Sequence, residues 1–222
     1  MSIFTSRFIL KDDPYSKHFV FKLPNTWETR PHEYEWAKHF AETGDIVLDA
    51  ACGLSHPLKF YLADKCKEVY ACDIDGRILS KSSILKDIED TYGTVIEDSF
   101  LNHYFNPIHF SQSSLTNLPY QNKSFDKIFC ISVLEHLSKE DMEQTFKEFR
   151  RTLKDKGLLV VTFDYPTINL EELKILLDKV KLKFYGDYSF DKPDNVLVST
   201  IWGELNCFRA VLIKNEDEGF SM

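Results

Sequence analysis

The sequence predicts an α/β fold: a doubly wound, mostly parallel seven-stranded sheet with an antiparallel C-terminal strand pair, in a single domain with an N-terminal helical cap. Three observations predict it. Short apolar runs rich in Val and Ile alternate with longer amphipathic segments, the first of these runs ends in a chain of small residues, and the next ends in an acid. With 222 residues and 43% hydrophobic content, the chain can bury one substantial core without disulfides or structural metal.

Residues 1–45 form the cap, with a helix at Pro31 to Glu42 after the aromatic and polar segment Phe19 to Arg30. The core, 46–222, opens with a strand at Ile46 to Ala50. Pro57 suits the first turn of a helix, where its missing N–H is not needed, so a helix follows over 57–65. A strand at Glu68 to Cys72 and a helix over 77–91 come next. Residues 92–107, with Tyr92, Gly93, Asn106 and Pro107, read as a loop insertion.

Strands are expected at Ile108 to Ser111 and Phe125 to Ile131, and Ser138 is placed to cap a helix over 138–153. Gly157 permits a turn into the strand Leu158 to Phe163. After Pro166, a helix over 169–180 leads to strand-like segments at Leu182 to Tyr188, Val196 to Ile201 and Cys207 to Lys214, which can close the sheet in antiparallel fashion.

A net charge of −8 and a pI near 5.4 disfavour a polyphosphate partner, so nucleic acid is not expected. The densest basic cluster, Lys147, Arg150, Arg151, Lys154 and Lys156, reads as the solvated face of a helix. Five cysteines, odd in number and widely spaced, read as reduced thiols, and the seven histidines show no metal-ligand spacing, so no metal is expected. No run reaches the ~20 apolar residues that span a bilayer. The reading is therefore a cytoplasmic protein, monomeric or homodimeric, without a membrane partner.

The turn Asp49-Ala50-Ala51-Cys52-Gly53-Leu54-Ser55 runs from a buried strand towards a helix start, where free N–H groups meet a ligand. Gly53 lets backbone come against that ligand, and Ala51 and Ser55 are nearly as small. Asp73, twenty residues beyond Gly53, ends the second strand, the place where a doubly wound sheet receives ribose hydroxyls. A pyrophosphate-binding G-x-G-x-x-G register would need Gly at 51, 53 and 56. The chain offers Ala51, Gly53 and His56, which argues against a dinucleotide.

From residue 33 to residue 164 the sequence resembles the class I S-adenosylmethionine-dependent methyltransferases. The first motif matches at Asp49, Ala51, Gly53 and Ser55, and the second acidic position at Asp73. Leu118-Pro119-Tyr120, then Phe125-Asp126, then Ile131 to Leu137, then Arg151 to Leu159 follow in the family's order. The resemblance implies S-adenosylmethionine as cofactor, with Ile74 against adenine and Cys52, Leu115 and Ile131 also at the cofactor. Only one of the usual three glycines is kept, and Ser114 stands where the family places an adenine-contacting acid.

The sulfonium is already an activated methyl donor, so orientation of the acceptor can supply much of the rate, in favourable cases ~7–11 kcal/mol. His136, after the fourth strand, is the candidate general base, and a capping or packing role competes with that reading. Tyr15, Trp27, Arg30 and Trp202 are the candidates to line an acceptor pocket, Arg30 being suited to an anion. A small-molecule acceptor is the leading expectation. The alternatives are a cofactor-binding regulatory subunit that methylates nothing itself, and a methyltransferase of peptides or proteins.

Overall fold

The computed structural model describes residues 2–95, 98–201 and 203–215. A nine-stranded sheet runs through it, in the order β1-β9-β6-β5-β2-β3-β4, with β7 and β8 also paired to β9. Five strands form its parallel centre: β2 (Ile46–Ala50), β3 (Glu68–Asp73), β4 (Ile108–Gln112), β5 (Phe125–Ile131) and β6 (Leu153–Tyr165). β9 (Leu205–Lys214) turns the direction, pairing antiparallel with β6. Its other edge is shared by three short antiparallel strands, β1 (Arg7–Phe8), β7 (Leu182–Phe184) and β8 (Val198–Ser199).

The expected parallel centre and antiparallel end are present, and the sheet is wider than the seven strands read from sequence. Part of the excess comes from the first 45 residues, which contribute β1 to the sheet edge as well as a cover. A two-residue strand has too short a pattern to be read without its partner.

Side chains alternate across each strand, so Leu48 and Ala50 enter one core layer while Val47 enters the other. Helices α1 (Arg30–Ala37), α2 (Leu58–Lys65) and α3 (Lys81–Tyr92) cover the Val47 face through Tyr34, Trp36, Phe60, Leu62, Ile84 and Ile88. A 3-10 turn, Lys38–Phe40, extends α1. Segment α4 (Asp98–Tyr104) lies on that face too, Tyr104 bonding Asp64 at 2.7 Å. The loop expected over 92–107 thus holds a helix, whose aromatic residues pack on Phe60 and which is too short to show a clear period in the sequence. The Leu48 face is covered by α5 (Lys139–Thr152) and α6 (Leu170–Lys179), through Phe146, Phe149, Leu173 and Leu177.

Ser138 caps α5 as expected, its hydroxyl accepting from Asp141 N at 3.0 Å. Gly157 does other work than the turn read from sequence. It lies inside β6, where a Cβ would stand 2.8 Å from the Asp126 carbonyl oxygen, so glycine lets β6 approach β5. Most of the basic cluster is ion-paired: Lys147 with Glu143, Arg151 with Glu148 and Lys154 with Asp126. No helix among the described residues is long and apolar enough to cross a membrane.

Candidate active site

The C-terminal ends of β2, β3, β5 and β6 open on one side, where three cavities adjoin. The turn after β2 shapes the middle one. Ala51 takes a left-handed φ of 54° and Gly53 one of 58°, so an alanine holds a conformation that glycine adopts without strain. A Cβ on Gly53 would meet His56 Cδ2 at 2.5 Å, so the side chain of His56 occupies space that the helix start leaves open in a glycine-rich loop.

Beneath the turn, the ammonium of Lys59 is fully buried and donates to the carbonyls of Cys52, Gly53 and His56 at 3.2, 2.8 and 2.6 Å. It satisfies carbonyls that would otherwise be orphaned at the bend. From the far side, Asp73 accepts from Gly53 N at 2.8 Å and from Asp75 N at 2.9 Å, which fixes its carboxylate against the loop. Lys59 and the loop-holding role of Asp73 had no signal in the sequence pattern, since each acts on backbone.

The middle cavity, about 100 Å³, is lined among others by Asp49, Ala51, Cys52, Gly53, His56 and Ile131. Asp49 is buried, its Oδ2 has no hydrogen-bond partner among the described residues, and burial pushes its pKa up to about 7. Next to it, a slot of about 200 Å³ is lined by Ala51, Ile74, Ser114, Leu115, Val133 and Leu137 among others. Ile74 stands there with 74% of its surface exposed, an apolar side chain at the rim of the slot. The Ser114 hydroxyl is engaged with Thr116 Oγ1 at 2.8 Å.

These two cavities fit an apolar ring system continued by a polar tail: Ile74 and Leu115 offer surface to the ring, and the Asp49 oxygen lacks only a donor. Asp73 keeps further acceptor capacity on both carboxylate oxygens.

The third cavity is a cleft of about 540 Å³ that shares Arg30, His56 and Ser132 with the middle one. Trp27 stacks on His56, ring centres 4.7 Å apart, and the His56 Nδ1 bonds the Tyr34 hydroxyl at 2.6 Å. Burial, with the charges of Arg30 and Lys59 nearby, holds the His56 imidazole neutral, well below its usual range. Glu28 accepts from Ser199 Oγ and Thr200 N at 2.9 and 2.6 Å, tying the residues before α1 to β8. His136 lies exposed in the cleft, at the end of a 3-10 turn, Leu134–His136, and Asp164 shares the wall. Burial and the nearby Glu33 push the Asp164 carboxyl above the usual aspartate range. Both Glu135 oxygens are buried without hydrogen-bond partners among the described residues, and burial pushes that acid up to about 8.

The expected acceptor residues are placed unequally. Trp27 and Arg30 line the cleft. Tyr15 stands outside its wall, stacked on His32 at 5.0 Å, and Trp202 lies outside the described residues. Arg30 is already engaged: it donates to both Glu33 oxygens, at 3.1 and 3.0 Å. The guanidinium read as an anion receptor is therefore neutralised within its own helix. The i,i+3 spacing of Arg30 and Glu33 is a signal for this pairing in the sequence, and the fold adds Ser132 and Thr162, which hold Glu33 in reach from the sheet.

The family model of the methyltransferase domain matches residues 48–161, just over half of the chain. An uncharacterized protein of Methanocaldococcus jannaschii is 32% identical over 82 residues, which are 36% of this chain and 31% of that protein. The matched stretch thus spans about a third of the relative's length. Among solved structures, a TehB-like SAM-dependent methyltransferase from Corynebacterium glutamicum superposes with a TM-score of 0.56 at 16% identity, over 82% of this chain and 86% of the other. A 1,6-didemethyltoxoflavin-N1-methyltransferase from Burkholderia thailandensis, with 1,6-didemethyltoxoflavin and S-adenosylhomocysteine bound, gives 0.59 at 14% identity, over 86% and 80%. The [4+2]-cyclase SpnF gives 0.61 at 13% identity, over 96% and 87%, so the shared fold does not by itself fix the reaction.

Proposed function

Because this chain belongs to the methyltransferase domain family, we propose that it transfers the methyl group of S-adenosylmethionine to a small molecule seated in the cleft of Trp27, His56, His136 and Asp164. The observation that carries this reading is the continuity of the three cavities. The slot at Ile74 shares Ala51 and Val133 with the loop cavity, and the loop cavity shares Arg30, His56 and Ser132 with the cleft.

In this arrangement Ile74, Ser114 and Leu115 hold the adenine, Asp73 the ribose hydroxyls, and Asp49 with the Cys52-Gly53 backbone the amino-acid tail. Bound there, S-adenosylmethionine supplies an activated methyl group. The chain's own residues position the acceptor and handle its proton. Trp27, backed by His56, offers a flat apolar wall, and the exposed ring of His136 takes a proton from a hydroxyl or ammonium on the acceptor. With Arg30 neutralised by Glu33 while Glu28 and Asp164 share the wall, the cleft suits a neutral or cationic acceptor better than an anionic one.

The test pairs calorimetry of S-adenosylhomocysteine binding with transfer of labelled methyl from S-adenosylmethionine to a pool of small metabolites. Binding in the micromolar range with label in the small-molecule fraction is expected, and His136→Ala should slow turnover by about 100-fold or more while leaving binding intact. No binding heat at any practical concentration would remove the cofactor reading. Label found in retained protein would move the acceptor to a peptide, and turnover only with an added partner would make the chain a subunit.

A further inference from the structure

β1 and β9 pair so that Arg7 lies directly opposite Arg209, and both residues are buried, with 9% and 6% of their surface exposed. Like charges set opposite in a ladder repel, and burial removes the water that would screen them. One carboxylate answers the pair. Asp13 accepts from both terminal nitrogens of Arg7, at 2.8 and 2.5 Å, and Arg7 also donates to the Phe8 carbonyl.

Arg209 makes no side-chain hydrogen bond or salt bridge among the described residues, and its Nε is buried without a partner. Its guanidinium rests 5.3 Å from the centre of the Trp36 ring, which offsets part of the cost of a buried cation. Burial and the neighbouring Arg7 bring it down to about 10, so it keeps its charge at neutral pH. The two residues share a cavity of about 290 Å³ with Asp13, Glu35, Trp36 and His39. Glu35, the other acid there, is engaged by Lys38 at 2.7 Å. One buried positive charge is left over, at the wall of a cavity.

We propose that this cavity, separate from the acceptor cleft, binds a small oxyanion, the carboxylate or phosphate group of a small molecule, on the guanidinium of Arg209. A guanidinium presents parallel N–H donors that match either group, and the fold leaves this one without a protein acceptor. Trp36 flanks the guanidinium, and Arg7 and Asp13 line the same cavity.

The experiment is calorimetry of the full chain with sodium phosphate and, separately, sodium acetate, with ionic strength matched by sodium chloride. One saturable site per chain is expected for at least one anion, and the preferred anion tells phosphate from carboxylate. Arg209→Met should weaken binding at least tenfold, with folding checked by far-UV circular dichroism. Asp13→Asn removes the competing carboxylate and should tighten the same site severalfold, a gain that misfolding would not produce. Absence of saturable binding to the unaltered chain overturns the site. So does equal binding by a folded Arg209→Met variant; if that variant does not fold, unchanged or weaker binding by Asp13→Asn decides against the site.

Discussion

The hydroxyl of Ser132 donates to the Glu33 carboxylate at 2.7 Å, joining the turn after β5 to helix α1. Thr162 on β6 donates to the same oxygen, and Arg30 closes the group from within the helix. Glu33 is fully buried, so this one acid docks the covering helix over the sheet ends that bound the candidate site.

Glu33→Ala is expected to cost about 3–5 kcal/mol, because it strands the Arg30 charge and two hydroxyls. Urea unfolding measures it. Burial alone would raise the Glu33 pKa, but Arg30 and the Thr162 and Ser132 hydroxyls outweigh it and hold the group below its usual 4.5. Its contribution is thus present above about pH 4.5 and lost as pH falls below that through the folded value. The acid limb of the stability profile should be shallower in Glu33→Ala; an unchanged limb would show that Glu33 does not dock the helix as an anion.

Asp73→Ala should weaken S-adenosylhomocysteine binding by about 1–3 kcal/mol, through lost acceptor bonds to the ribose and release of the Gly53 N–H. Calorimetry at a single temperature suffices. An affinity equal to that of the unaltered chain would place the ribose elsewhere.

Lys59→Met leaves the carbonyls of Cys52, Gly53 and His56 without their donor in a buried site. A loss of about 2–4 kcal/mol in stability is expected, together with weaker cofactor binding as the turn relaxes. Denaturation and calorimetry on the same preparation read both.

Ala51→Gly should have the opposite sign. At a φ of 54° the alanine methyl is strained by about 1–2 kcal/mol, and glycine removes that strain while adding freedom to the unfolded chain. A net gain of about 0.5–1 kcal/mol is expected from thermal or urea unfolding, and a loss would mean that the methyl packs usefully.

Glu135 and Asp49 titrate in the folded chain at about 8 and about 7, both raised by burial above 4.5 and 3.8. The unfolded chain therefore releases these protons first, and their combined effect lowers stability as pH rises from about 4 towards 8. Glu135→Gln cannot ionise, so its stability relative to the unaltered chain should improve between pH 5 and pH 8. Urea midpoints at the two values settle the sign.

How far the sequence reached differs from feature to feature. β2, β5 and the Asn169-capped α6 were legible, because local propensity and burial agree over several residues. The α4 helix was not, since seven residues rich in aromatics give no clear period. At the candidate site, the positions of Asp49, Gly53 and Asp73 at two strand ends and the turn between them were legible because these features follow in fixed order along the chain. Lys59 escaped notice, and His56 was read only as an obstacle to a pyrophosphate, because nothing near them in the chain shows what they face; Glu33 was passed over although Arg30 lies three residues before it.

The sequence by itself determined the alternation of strands and helices, the turn that opens beside β2 and the acid that meets it, all of them short-range or order-dependent features. Only the tertiary structure decided which charges line the cleft, the anchoring of Glu33 on Ser132 and Thr162, the burial of Lys59 and the stranding of Arg209 beside Arg7. The reason is electrostatic: whether a charge is free depends on its neighbours within a few ångströms and on the water it keeps, and folding sets both by bringing together residues such as Glu33 and Thr162 that lie far apart in the chain.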